Sequence, residues 1–345
     1  MYTKMISTGE NIVNKGCLRS DTVAAYLGEV NQLFLKSNLQ KPIDLANRSL
    51  QTTILYKNIR AEENVAKQRR PLTNMTVAKI LELGKRNTPN SKEALIADLI
   101  GFASQVGPRA AEIVQKTKKV VGIHTYPSGK TVIKAICADR VKFYDNNGRE
   151  VKDPVKDYKR VKTMKLIWVI QKNRRNGEII TYVTNAENPD LCVVIATINM
   201  IRRARSLKQP ENMPLCVYAD KDGNMKYLTA NELTQYIRKC TALAHPDMTA
   251  EELSYYSCHS FRVWACILLH QQGKSGDYIR VRLRWLSEAY RVYLRDTEES
   301  AKQHNRALTK DGDEISFRLH EALLLDDDLN HVSVDEEMGD YEDIE

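Results

Sequence analysis

Two runs decide how this chain is read: His259-Ser260-Phe261-Arg262-Val263-Trp264-Ala265-Cys266-Ile267-Leu268-Leu269, and Leu283-Arg284-Trp285-Leu286-Ser287-Glu288-Ala289-Tyr290-Arg291-Val292-Tyr293-Leu294-Arg295. The first is apolar almost all round, so 259–272 is expected to form a buried helix stopped by Gly273. On that helix His259 and Arg262 stand three residues apart, and their imidazole and guanidinium share a face. Trp285 follows His259 by 26 residues, and Tyr293 follows Trp285 by 8. A helix is expected over about 277–285. Ser287-Glu288 is a fair N-cap for a last helix carrying Tyr290, Val292 and Tyr293.

Working upstream, the chain alternates helices with a few short strands. Thr229-Ala-Asn-Glu232 and Thr249-Ala-Glu-Glu252 read as capping boxes, and Asn90 with Glu93 as a third. Helices are expected after Pro189 towards Arg205, over about 91–105, and over about 74–84. Gly107-Pro108 breaks the pattern, and Arg109-Ala-Ala-Glu112-Ile starts a short helix. Strand-like runs fall at 120–123, 131–136 and 141–144. A hairpin is expected at 166–171 and 179–183, turning at Asn176-Gly177. Near the start, Val23, Tyr26, Leu27, Val30 and Phe34 fall at helical spacing and make one apolar face. A polar-rich helix is expected over about 49–66. Lys67-Gln-Arg-Arg-Pro71 then reads as a linker, giving a helical domain over 1–68 and a larger one over 69–309. The fold class is α+β, mainly α, with a small antiparallel sheet.

Charge divides the chain differently. It carries +8 formally, yet residues 310–345 hold 14 acidic and 2 basic side chains, leaving +20 on the first 309. So basic a body suits a polyanionic partner, nucleic acid first. The acidic tail is too sparse in apolar residues to build a core, although 315–325 has the pattern of an amphipathic helix. The longest apolar run, 191–201, is too short to span a bilayer and contains Asn199. The first residues carry no secretory core, and the seven cysteines form no CxxC pair. An intracellular, reduced protein is expected. Asp220-Lys-Asp222-Gly-Asn224 begins like a calcium loop, but Met225 and Asn231 stand where that loop needs Gly and Glu, so it reads as a turn.

Taken with their order along the chain, these segments resemble the tyrosine recombinase (phage-integrase type) family. That family breaks and rejoins DNA through a 3′-phosphotyrosine. Gly107-Pro-Arg109-Ala-Ala-Glu112-Ile looks like its first-arginine segment, and Lys172 is similar to its hairpin lysine, with Lys165 a rival on the same hairpin. His259 and Arg262 match its central box. Trp285 falls where the family has His or Trp, and Tyr293 where it has its nucleophile. Tyr290 is a rival three residues earlier that the spacing disfavours. The run through Tyr290 and Tyr293 looks most like recombinases of Crypton-kind mobile elements. The resemblance covers roughly 15–300. It departs at Pro108, where an aliphatic residue is usual, and at Arg284, where a glycine often stands.

Chemistry agrees with this assignment. Attack on an anionic phosphodiester builds charge on its non-bridging oxygens, and two guanidiniums, Arg109 and Arg262, suit a clamp there. A Tyr hydroxyl needs a base, for which His259 is the candidate. Lys172 would protonate the leaving 5′-oxygen, and Trp285 would offer its indole N–H. Glu112 either supports the arginine region electrostatically or is plain helix surface. The resemblance implies no cofactor or metal, duplex DNA as partner, and a homotetramer on two DNA sites; 315–325, in a tail without a family equivalent, is expected to dock on a neighbouring protomer. It places the protein with DNA, in the nucleus of a eukaryote or otherwise in the cytoplasm or nucleoid. Two other uses stay open: a domesticated DNA-binding regulator, and a relaxing topoisomerase.

Overall fold

A computed structural model describes residues 20–42, 50, 53–54, 57–58, 69–115, 123–125, 129, 131–171, 175–285 and 288–294. The chain divides into two units, Met1–Gln68 and Arg69–Glu345. The acidic tail, most of the helix expected over 49–66 and all but the last residue of the strand expected at 120–123 lie outside the described residues. No helix among them is long and apolar enough to cross a membrane.

In the first unit, helix α1 (Ser20–Lys36) buries Val23, Leu27 and Asn31. These are one turn apart, a single line along the helix. Tyr26, Val30 and Phe34, expected on the buried face, are exposed instead.

The second unit is mainly helical. Helices α2 (Asn74–Lys85), α3 (Lys92–Val106), α4 (Ala110–Ile113), α5 (Val193–Ser206), α6 (Ala230–Ala244), α7 (Ala250–Ser254), α8 (Ser260–Gln271) and α9 (Gly276–Arg282) follow in chain order. Helix α3 lies at the centre and packs against α2, α5 and α8. It buries Leu95, Ile96, Leu99, Ile100, Phe102, Ala103 and Val106, which is why its sequence lacks a polar stripe. Its N-cap is Ser91, whose Oγ accepts from the Ala94 N–H at 3.1 Å. Asn90 is therefore not the cap: its carbonyl accepts from the Ala219 N–H and its side chain from the Ser206 hydroxyl. The boxes at Thr229 and Thr249 form as read, each Thr accepting from the Glu three residues on and each Glu accepting in return.

Three antiparallel strands form the main sheet, in the order β3 (Val141–Tyr144), β4 (Thr163–Trp168), β5 (Glu178–Val183). The strand expected at 166–171 thus begins and ends three residues earlier. Met164, Leu166 and Trp168 alternate inward along β4, and Lys165 faces out with its Nζ 4.8 Å from the centre of the Tyr144 ring. Two small hairpins complete the strands: β1 (Ile123–Thr125) with β2 (Thr131–Ile133), and β6 (Val217–Ala219) with β7 (Met225–Tyr227). The latter turns at Asp220, whose carboxylate accepts from the Asp222 and Asn224 N–H groups. The calcium-like segment is thereby an Asx-type turn.

Two apolar clusters meet at α8. Phe261 and Trp264 belong to the large cluster built from α2, α3, α5, α6 and the sheet. Ala265 and Cys266 belong to a smaller one with Ile279, Leu283, Trp285 and Tyr290. A helix with core on both sides has no solvent face along most of its length, and its apolar sequence reflects that. The last helix expected from Ser287 is a short 3₁₀ stretch, Glu288–Tyr293.

Candidate active site

The N-terminal end of α8 opens the site. His259 stands just before the helix in an αR conformation. Its Nε2 lies 2.9 Å from the Tyr293 hydroxyl, across 34 residues of chain, with ring centroids 5.4 Å apart. Burial holds the imidazole pKa below its usual 6.5, and the Arg262 and Arg69 charges add to that. A neutral ring can accept a hydroxyl proton, and the contact is short enough for such a transfer.

Arg262, one helical turn on, is 2% exposed. Its guanidinium donates from Nη1 to the Gly107 carbonyl and from Nη2 to the Leu283 carbonyl, the latter at 2.8 Å. Those bonds engage two of its five N–H donors. The guanidinium carbon sits 4.6 Å from the centre of the Trp285 ring. Burial and the neighbouring Arg109 charge push its pKa down to about 9, so it stays cationic at neutral pH. Gly107 ends α3 with φ +51°, where a Cβ would press on the Leu283 side chain at 2.8 Å. The glycine is what lets this carbonyl turn towards Arg262.

Arg109 leads into α4 with extended backbone. Its N–H donates to Glu112 Oε2 at 2.8 Å, its Nη1 to Glu112 Oε1 at 3.2 Å and its Nη2 to the Arg284 carbonyl at 3.1 Å. The side chain is 24% exposed, making it the accessible member of the pair of arginines. Glu112 is buried, and it also receives both Nη groups of Arg284, at 3.0 and 2.9 Å. Burial works to raise its carboxyl pKa, but the Arg284 and Arg109 guanidiniums outweigh that and hold it below the ordinary value. Of the two readings of Glu112, support of the arginine region is the one the contacts match.

Trp285 lies between Arg262 and the tyrosines, 5.8 Å from the Tyr290 ring and 5.2 Å from the Tyr293 ring. Tyr290 is buried, stacked on Trp285, its hydroxyl packed against Gly276. Tyr293 is half-buried and makes the contact to His259.

Five of the six candidates, Arg109, His259, Arg262, Trp285 and Tyr293, therefore share one neighbourhood. Lys172 lies outside the described residues. Before it in the chain, the Gln171 side-chain amide donates to the Arg175 carbonyl at 2.6 Å and to Glu178 at 2.8 Å. Sequence reading missed three participants. Arg284 was noted only as a departure from glycine, and the Gly107 and Leu283 carbonyls carry no side-chain signal at all. Among the described residues no group of three or more His, Cys, Asp and Glu stands together as metal ligands.

No family model and no curated protein matches the sequence. Solved structures do match. XerA recombinase shares 10% identity at a TM-score of 0.42, over 89% of this chain and 80% of that one. XerH site-specific recombinase, solved on its difH substrate after cleavage, shares 13% identity at a TM-score of 0.48, over 88% of this chain and 70% of that one. The Tn1549 transposon integrase, solved with circular-intermediate DNA, shares 14% identity at a TM-score of 0.42, over 84% and 81%.

Proposed function

We propose that this chain breaks and rejoins duplex DNA through a covalent 3′-phosphotyrosyl intermediate, as a tyrosine-type site-specific recombinase or integrase. The observation that carries this reading is the 2.9 Å contact between His259 Nε2 and the Tyr293 hydroxyl, made beside Arg262 and Trp285. Tyr293 Oη attacks the phosphorus and passes its proton to His259. The bond from phosphorus to the 5′-oxygen breaks, and that oxygen takes a proton from Lys172. Arg109 and Arg262 receive the growing charge on the non-bridging oxygens, and the Trp285 indole adds a donor and packs the site. Rejoining is the same step reversed on a second 5′-hydroxyl. Bond energy is conserved in the phosphotyrosine, so no nucleotide hydrolysis enters.

Duplex DNA is the proposed partner because the first 309 residues carry +20. The helical unit at 1–68 and the larger unit would grip opposite faces of the duplex. A homotetramer on two sites, a Crypton-like mobile element as the source, and docking of 315–325 on a neighbour belong to the same proposal.

A covalent-trap assay tests it. Wild type and Tyr293→Phe are incubated with end-labelled fragments of genomic DNA, quenched in detergent, and the protein-linked DNA recovered. Adducts from the wild type alone are expected, and their ends identify the target. Salt-sensitive DNA binding without adducts would point instead to a regulator that binds without cutting. Relaxation of any supercoiled plasmid in catalytic amounts would point to a topoisomerase.

A further inference from the structure

Arg284 is the most deeply buried charged side chain in the site and adopts φ +60°. An L-residue other than glycine, or sometimes Asn or Asp, rarely does so, at a cost of roughly 1–2 kcal/mol. Four contacts offset that cost. Both Nη groups bond Glu112, the guanidinium carbon lies 3.3 Å from the centre of the Trp168 ring, and the backbone carbonyl accepts from Arg109 Nη2.

The turn does two things at once. Successive carbonyls, Leu283 and Arg284, receive Arg262 and Arg109 respectively, so one left-handed residue sets the positions of both guanidiniums. The next residue is Trp285, which the turn lays against Arg262. Arg284 also occupies both oxygens of Glu112. Arg109 shares that carboxylate through its backbone N–H and one side-chain bond, Nη1 to Oε1 at 3.2 Å, and not as a bidentate guanidinium pair. A bidentate Arg109–Glu112 pair would turn both Nη donors to the carboxylate, whereas here Nη2 is held by the neutral Arg284 carbonyl. With Arg284 in place, the cluster keeps three guanidiniums against one carboxylate.

We infer that Arg284 is a positioning residue: by bonding both oxygens of Glu112 and presenting its own carbonyl to Arg109 Nη2, it sets the Arg109 guanidinium where a phosphate can reach it. This rests on the reading of the site as a phosphoryl-transfer centre. It assigns the buried ion pair a role in the chemistry beyond stability, since a pair kept only for stability would be indifferent to where Arg109 points.

Arg284→Gly removes the guanidinium while relieving the backbone, and Arg284→Lys keeps the charge without the fork. A cooperative thermal melt selects the variants that fold, and the lysine variant serves if the glycine variant does not. Two readouts follow. The first is the Arg109 Nε–H resonance, assigned by its loss in Arg109→Lys. It is expected to move in both Arg284 variants, and an unmoved resonance overturns the inference whatever the activity. The second sets the single-turnover rate of adduct formation against DNA affinity. The rate is expected to fall about a hundredfold in the glycine variant and less in the lysine variant, with Kd changed by less than about threefold. Rate and affinity falling together, or neither falling while the resonance moves, would leave Arg284 with a structural role only. Absence of adducts from the wild type would count against the recombinase reading, and the Arg109 resonance would then decide the inference alone.

Discussion

Tyr290 and Tyr293 are three residues apart, and sequence spacing alone sets them on nearly one face. Burial separates them. Tyr290 is wedged between Trp285 and Gly276, whereas Tyr293 reaches His259. A side chain at 276 would collide with the Tyr290 hydroxyl and the ring carbon that bears it, and that ring is buried and stacked on Trp285. Gly276→Val is therefore expected to lower stability by about 1–3 kcal/mol, as measured by urea unfolding. An unchanged midpoint would contradict this packing. His259 carries a pH prediction of its own. Burial first, then Arg262 and Arg69, depress its pKa below 6.5, so the ring stays neutral and basic to lower pH than a free imidazole. The rate of adduct formation should fall with acid along a limb whose midpoint lies below 6.5, measured between about pH 5 and 8. An acid limb centred above 6.5 would be incompatible with His259 as the base.

Among the elements, the hairpin of β4 and β5 bears on the general acid proposed at Lys172. Strand alternation turns Lys165 out of the sheet onto Tyr144, while Met164, Leu166 and Trp168 point inward. The sheet therefore offers Lys165 an aromatic partner of its own, and Lys172, just past Gln171, remains the candidate acid. Lys172→Ala is expected to slow cleavage by about 10²–10⁴-fold on an ordinary phosphodiester. Replacing the bridging 5′-oxygen by sulfur gives a leaving group that needs no proton, and most of the rate should return. The same substitution at Lys165 should change little. If the sulfur substrate rescued Lys165→Ala instead, the assignment would be reversed. The helices were read with more success where the signal was local. Thr229 and Thr249 each cap through their own Glu three residues on. At 90–93 two candidate caps sit side by side, and the choice of Ser91 over Asn90 followed from Asn90 being engaged by Ser206 and Ala219, more than a hundred residues away.

For the molecule as a whole, charge is the property that scales. With +20 on the first 309 residues, DNA affinity should fall by about a thousandfold or more between roughly 50 and 200 mM salt, followed by fluorescence anisotropy. A flat salt dependence would remove the polyanion reading. The sequence by itself determined the class of fold, the capping boxes at Thr229 and Thr249, the buried character of α8 and the order along the chain of the five candidate residues. These depend on periodicity and on contacts within a few residues, which a linear reading can see. Tertiary structure alone decided the rest. It brought Tyr293 to His259 and buried Tyr290, left Tyr26, Val30 and Phe34 of α1 exposed, and turned the segment after α9 through a left-handed Arg284. It also brought Glu112 to a residue 172 positions away. The physical reason is common to all of them. Whether an apolar residue is covered, which of two hydroxyls meets an imidazole, and whether an arginine can bear a positive φ depend on partners distant in sequence, and backbone carbonyls such as those of Gly107 and Leu283 acquire a function only when the fold aims them.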